Sequence, residues 1–209
     1  MNILIFGASG AAGKELVKQA LEQGHFVTAF VRNPSKLKIT NNNLKVLHGF
    51  IDDRLAVENA IKGQRAVLSA LGASSPFKFD QLVVDGISNI VEGMQKSGVK
   101  RFIYLSFIGV HESRKDAPFF IRHVASKILK TEIAGHEAKE NIIKQSHLDW
   151  TIVRPPGLTN GLKKGIYRQG EDLKSSAFMA TISRADVADF MLSQINDRSF
   201  IRKAARIMY

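Results

Sequence analysis

The chain has 209 residues and a formal net charge of +11, from 30 Lys and Arg against 19 Asp and Glu, and it contains no cysteine. Disulfides and thiolate metal sites are thereby excluded, and no apolar run reaches the roughly 20 residues that a membrane-crossing helix needs. The basic residues are scattered, with no run of five or six that would mark a nucleic-acid-binding tail, so the charge reads as solubility plus attraction of an anionic ligand.

Met1 leads directly into an apolar strand, Asn2–Phe6, without a leader-like segment, and the expectation is a cytoplasmic protein. The strand runs into Gly7, Gly10 and Gly13, spaced G-x-x-G-x-x-G, and then into a helix over Ala11–Gln23. Strand, glycine turn and helix form the context in which such glycines bind a dinucleotide. Gly7 permits the sharp turn, Gly10 leaves room for a pyrophosphate, and Gly13 permits close packing of helix on strand. The helix N-terminus adds free N–H groups and a partial positive charge.

The pattern then alternates. Strands are expected at Phe26–Val31, Leu44–His48, Ala66–Leu71, Arg101–Ser106, Trp150–Arg154 and Ala205–Met208, with a weaker one at Met179–Ile182. Helices are expected at Leu55–Ile61, Phe79–Lys96, Phe119–Gln145 and Arg184–Ile195. Gly24, Gly63 and Gly98 follow helices, as caps do. The alternation predicts an α/β doubly wound, mostly parallel sheet in one domain over residues 1–209. Loops near 107–118 and 155–178 lack a period and are expected to shape a substrate pocket beyond the strand C-termini.

The end of the second strand bears on the choice of cofactor. An acid there would bond the ribose 2′-hydroxyl of NAD, whereas an arginine would pair with the 2′-phosphate of NADP. The residues are Val31-Arg32-Asn33, and no acid follows before Asp52. The planar donor fork of Arg32 therefore points to NADP.

Six segments in order carry a family resemblance: Gly7 to Gly13, Val31 to Leu37, Ala66 to Gly72, Val99 to Ser106, Ser146 to Pro156 and Ile182 to Asp189. The chain resembles the atypical short-chain dehydrogenase/reductases, within them most the flavin reductase/biliverdin-IXβ reductase group and the NmrA-like proteins. The resemblance implies a Rossmann fold with a small C-terminal substrate-pocket region. It also implies cofactor contacts from Gly7, Ser9, Gly10, Ala11, Ala12 and Gly13 to the pyrophosphate. Arg32 would meet the 2′-phosphate, and Leu71 and Gly72 would lie along the ribose. Ser106 and the Arg154-Pro155-Pro156 turn would lie near the nicotinamide. Two positions depart from the family pattern. Phe107 stands where a second hydroxyl is expected, and Gly49-Phe50 replaces Gly-Asp, so that Phe50 either packs on the adenine or fills core.

Classical members of the superfamily use a Tyr-x-x-x-Lys pair as proton donor. None of Tyr104, Tyr167 and Tyr209 has a lysine four residues later. The absence argues against an alcohol dehydrogenase and against a sugar-nucleotide epimerase. It suits a reductase of flat conjugated acceptors, such as a flavin, a quinone or a biliverdin-like molecule, which can take its proton from solvent. Ile133, His136, Glu140 and Ile143 share one face of the helix before the sixth strand. His136 joins Ser106 as a catalytic candidate, although a histidine there is read first as a partly buried residue hydrogen-bonded to the backbone. Glu140 is expected to be a structural partner of a neighbouring N–H or base. His111 and Tyr167 are weaker candidates for substrate contacts. The six histidines show no ligand spacing for a metal, and the G-x-S-x-G elbow of hydrolases is missing. The expectation is an NADPH-dependent reductase, as a monomer or small homo-oligomer. The alternative is a regulatory protein that senses NADP(H) without turnover.

Overall fold

The structure, a computed structural model, describes residues 1–72, 79–175 and 177–209. Ser176, inside the loop expected over 155–178, lies outside them. The strands are β1 (Asn2–Phe6), β2 (Phe26–Val31), β3 (Leu44–His48), β4 (Ala66–Ser69), β5 (Arg101–Leu105), β6 (Asp149–Arg154), β7 (Gly157–Thr159), β8 (Arg168–Gly170), β9 (Thr181–Ser183) and β10 (Lys203–Met208). The α-helices are α1 (Ala11–Glu22), α2 (Arg54–Ile61), α3 (Gln81–Ser97), the short α4 (Ser126–Ile128), α5 (Lys130–Gln145) and α6 (Arg184–Ser193). Eight strands form one sheet in the order β3-β2-β1-β4-β5-β6-β10-β8. Every pairing is parallel except β10 with β8. The order reverses between β1 and β4, which places a crevice at the C-terminal ends of those strands.

Alternation along each strand divides the core between the two faces of the sheet. In β1, Ile3 and Ile5 join a cluster with Leu16 and Val17 of α1 and Val187 and Phe190 of α6. Leu4 and Phe6 join the opposite cluster with Ile61 of α2, Ile87 and Met94 of α3, and Ile143 of α5. The apolar runs of the inner strands are thus explained by burial on both faces. Gln19 of α1 donates from Nε2 to the Ala185 carbonyl of α6 at 2.8 Å, tying the two helices on one face together. No helix of the described residues is long and apolar enough to cross a membrane.

Four expectations need correction. The helix expected over Phe119–Gln145 is interrupted: a π-turn occupies Ile121–Ala125, and α5 starts only after Leu129. Ser126 donates from Oγ to the Arg122 carbonyl at 2.7 Å, a side-chain bond that competes with the regular helical ladder. The fourth strand ends at Ser69, so Leu71 and Gly72 stand beyond it. The loop after β6 is not structureless, since β7 pairs with β9 and β8 extends the main sheet. Phe50 does not fill core. It is 52% exposed, and its ring lies edge-to-face with that of His48, with centroids 5.7 Å apart.

Candidate functional site

A crevice of about 630 Å³ lies along the C-terminal edge of the sheet. That is the size range of small-molecule and cofactor pockets. Its floor at the centre is the turn between β1 and α1. Gly7 has φ +73°, and a Cβ on it would stand 2.6 Å from the Ala70 carbonyl oxygen, so only glycine fits there. Gly10 caps α1 with no side-chain hydrogen bond, and no acidic residue lies in the helix's first turn. The orphan N–H groups of that turn therefore open into the crevice, together with Ser9, Ala11 and Ala12. Gly13 stands just behind. A Cβ there would be 2.1 Å from the Gly7 carbonyl oxygen, so its smallness seats the helix on the turn itself rather than on the strand.

One end of the crevice is formed by Arg32 and Lys36. Asn33 fixes the backbone between them: its Oδ1 accepts from the Ser35 amide at 3.0 Å and caps the single turn Pro34–Lys36. Arg32 is exposed and makes no ion pair among the described residues. The walls continue through Leu71 and Gly72 to Ser106, Phe107 and Pro155. From β2 to β6 is four strand spacings, about 19 Å.

The other end is built by β5, β6 and α5. Ser106 is 6% exposed and donates from Oγ to Glu140 Oε1 at 2.7 Å. Glu140 also receives Arg154 Nε at 3.0 Å and Arg154 Nη2 at 2.6 Å, and Lys144 Nζ lies 3.0 Å away. Arg154 reaches on to the Glu112 carboxylate. Glu140 and Arg154 have fully buried side chains. Burial alone would raise the Glu140 carboxyl pKa, but the hydrogen bonds and charge of Arg154 outweigh it and hold the group below its ordinary value. Glu140 is thus the structural partner of a base that the sequence suggested, and it anchors Ser106 in the crevice wall.

His136 lines the crevice at 7% exposure. Its Nδ1 lies 2.9 Å from the Tyr104 hydroxyl. Burial, and then the nearby Lys139 charge, push the imidazole pKa well below its usual value, so the ring is neutral. Burial first, and then Glu140 and Glu132, push the Tyr104 phenol well above its own, so it keeps its proton. With the phenol donating to Nδ1, Nε2 carries the ring proton, and it has no partner among the described residues. Lys139 is 2% exposed and lies 6.0 Å from the centroid of the Tyr104 ring; burial lowers its pKa to about 8.

Tyr104 and Lys139 escaped sequence reasoning because the search relied on a four-residue spacing. The available signal was phase: Phe102 and Tyr104 alternate onto the same sheet face as the expected face of the helix before β6. His136 is held by a phenol, not by backbone as a core histidine commonly is. Two weaker candidates are turned elsewhere. The His111 ring faces Glu140, with Nε2 3.7 Å from Oε2, and does not line the crevice. Tyr167 donates to Asp189 Oδ2 at 3.0 Å, also away from it. Of the loops expected near 107–118 and 155–178, only Phe107 and Pro155 to Leu158 reach the crevice among the described residues. Ile108 and Ala117 are instead buried in a small core of their own.

The comparisons with known proteins agree with this geometry. Residues 7–198 match the family described as NAD(P)H-binding. The photosystem II assembly factor Ycf39 of Synechocystis sp. is 25% identical over 216 residues, covering 97% of this chain. The chain spans 61% of that relative's length. Among solved structures, ChuY of Escherichia coli O157:H7, described as an anaerobillin reductase, has a TM-score of 0.83 at 21% identity, covering 99% of this chain and 96% of its own. A wide-type short-chain dehydrogenase/reductase of Veillonella parvula in complex with NADP has a TM-score of 0.77 at 20% identity, covering 99% and 93%. At these identities the two structures show likeness of fold alone. With a matched segment that starts at the glycine turn and takes in six of the eight strands of the main sheet, the chain belongs to the NAD(P)H-binding family.

Proposed function

We propose that the protein is an NADPH-dependent reductase of a small, flat, conjugated acceptor, of the flavin, quinone or biliverdin-like class. The observation that carries this reading is one crevice that joins an uncapped helix N-terminus and Arg32 to an end that combines apolar side chains with His136, Glu132 and Arg184. The uncapped turn of α1 suits a pyrophosphate, because its free N–H groups and dipole favour an anion. Arg32 suits a 2′-phosphate, because its fork has no acidic partner among the described residues. Leu71, Gly72, Ser106 and Pro155 wall the space between. When bound, the cofactor supplies the hydride; the chain's own residues position the acceptor and exclude water.

His136 is the residue placed to meet the acceptor. Its Nε2–H can donate a hydrogen bond to an acceptor carbonyl or ring nitrogen, while Tyr104 fixes the tautomer from behind. Ser106 spends its proton on Glu140, so its role is to shape the wall beside the acceptor and present an oxygen that accepts. Phe107, Leu129, Ile133 and Leu158 provide apolar surface for a flat ring system. The neighbour of the same fold described as an anaerobillin reductase is in keeping with such an acceptor.

The test is NADPH oxidation by the purified protein, followed at the nicotinamide absorbance against FMN, FAD, simple quinones and biliverdin, with NADH in parallel. Turnover with at least one flat acceptor, faster with NADPH, is the expected result. Tight NADPH binding with no turnover on any of them would overturn it in favour of a redox-sensing protein. One observation favours that second reading: a relative across 97% of this chain is named an assembly factor.

Arg32→Ala is expected to weaken NADPH binding by about 1.5–3 kcal/mol, the range for a hydrogen bond to a charged group, with NADH binding little changed. Titration of cofactor fluorescence measures both. Equal loss for the two cofactors would remove Arg32 from the 2′-phosphate.

A further inference from the structure

Arg184 is the one cation on the crevice wall at the end remote from Arg32 and Lys36, among the described residues. It stands at the start of α6, directly after β9, and β9 pairs with β7 next to the Pro155-Pro156 turn. The guanidinium is held by neutral groups. Nη1 donates to the Leu158 carbonyl at 3.3 Å and to Asn160 Oδ1 at 2.7 Å. Both bonds use the same nitrogen. Nε and Nη2, the edge that forms a two-point fork with a carboxylate, make no hydrogen bond among the described residues, and no ion pair neutralises the charge. The other arginines deep in this half of the fold differ. Arg154 is paired with Glu140 and Glu112, and Arg206 with Asp116 at 3.0 Å.

We infer that Arg184 is an anion-binding residue for the acceptor, and that the acceptor carries a carboxylate or a similar planar anion attached to its flat apolar body. This rests on the reductase reading above and narrows it. Leu158 packs beside the arginine on the same wall, so the ring system and its anionic group would be read by adjacent residues. Asn160 holds the fork open where an acidic residue would close it.

The probes are anthraquinone-2-carboxylate and its neutral carboxamide, titrated calorimetrically into the protein saturated with NADP⁺. The wild type is expected to bind the carboxylate about 10–30-fold more tightly than the carboxamide, a discrimination typical of charge-assisted hydrogen bonds. Arg184→Gln is expected to abolish that ratio and leave carboxamide and NADPH affinities within about 2-fold. Arg184→Lys, which keeps the charge without the fork, is expected to recover only part of it. Equal affinity of the wild type for both quinones, or binding of neither, overturns the inference. A fall in NADPH affinity in Arg184→Gln also overturns it, because the arginine would then serve the cofactor's own phosphates. Binding is read without turnover, so a discriminating protein that oxidises no NADPH sinks the reductase reading while the anion site stands.

Discussion

Glu140→Gln is expected to destabilise the protein by about 3–5 kcal/mol, the cost of leaving one member of a buried ion pair without its partner. The substitution keeps the size of the side chain, removes its charge and turns one of its two accepting oxygens into an NH2 donor. Arg154 is fully buried and loses the carboxylate that receives both Nε and Nη2. Glu112 remains, but its side chain is 57% exposed, and a wet carboxylate cannot replace a buried one. For a chain of this length the loss corresponds to a melting temperature lower by roughly 6–20 °C. Replacing both residues together, Glu140→Leu with Arg154→Met, is expected to recover most of the loss, since an apolar pair needs no hydration. Thermal unfolding of the three variants checks this. A Glu140→Gln protein within about 1 kcal/mol of the parent would show that Arg154 is stabilised by something other than this pair.

The same pair gives a pH signature. Burial raises the pKa of both carboxyls, and Arg154 more than reverses that, leaving Glu140 below its ordinary value and Glu112 at about 2. A carboxylate whose folded pKa is depressed contributes stability that is complete above its unfolded value, about 4.3, and is lost as pH falls through the folded one. The gap in stability between parent and Glu140→Gln should therefore be full near pH 6 and shrink steadily below about pH 4. A gap that is constant down to pH 3 would mean that the Glu140 carboxyl is not depressed in the folded state.

How far the sequence revealed the site depends on whether a feature is local. The glycine turn is a matter of seven consecutive residues, and strand, turn and helix are each signalled within it. The end of β2 was equally legible, because Arg32 follows immediately on an apolar strand and no acid stands nearby. The Glu140 network is another matter. Its members lie on a helix, a strand and a turn, with Arg154 14 residues from Glu140 and 42 from Glu112. Tyr104 and His136 are 32 apart, on facing elements. Periodicity correctly put Ile133, His136, Glu140 and Ile143 on the buried face. It did not single out Lys139, and a lysine is rarely buried; only the tertiary fold, with Tyr104 beneath it, shows that this one is. The short strands β7 and β8 have three residues each, too few for an alternation to register, whereas β9 falls at the end of the weaker strand expected over Met179–Ile182; the loop that joins β7 to β8 exposes Leu162 and Ile166.

The glycine turn allows binding and folding to be separated by two neighbouring substitutions. Gly13→Ala places a methyl 2.1 Å from the Gly7 carbonyl oxygen and 2.8 Å from the Ala8 Cα. Both neighbours are backbone, so no side chain can rotate away, and α1 must move by more than about 1 Å to reach ordinary contact distance. That movement disturbs the packing of Leu16 and Val17 and the bond from Gln19 to the Ala185 carbonyl. The expected cost is at least about 3 kcal/mol, the top of the usual overpacking range, with a melting temperature lower by roughly 6–12 °C. NADPH affinity should fall with it, because the N–H groups of Ala11 and Ala12 move too. Gly10→Ala is different. Gly10 has φ −72°, which alanine adopts freely, and its nearest neighbour to a new Cβ is the Gly7 oxygen at 3.3 Å. Stability should stay within about 1 kcal/mol of the parent, the reduced freedom of the unfolded chain offsetting a slight adjustment. The methyl nevertheless stands on the crevice wall where a phosphate must approach the backbone, and NADPH affinity should drop by about 10-fold or more. Melting curves with cofactor titrations on both variants decide the matter. If Gly10→Ala bound NADPH like the parent, the pyrophosphate would lie away from this turn; if Gly13→Ala melted like the parent, the helix would not be seated as closely on the turn as the structure places it.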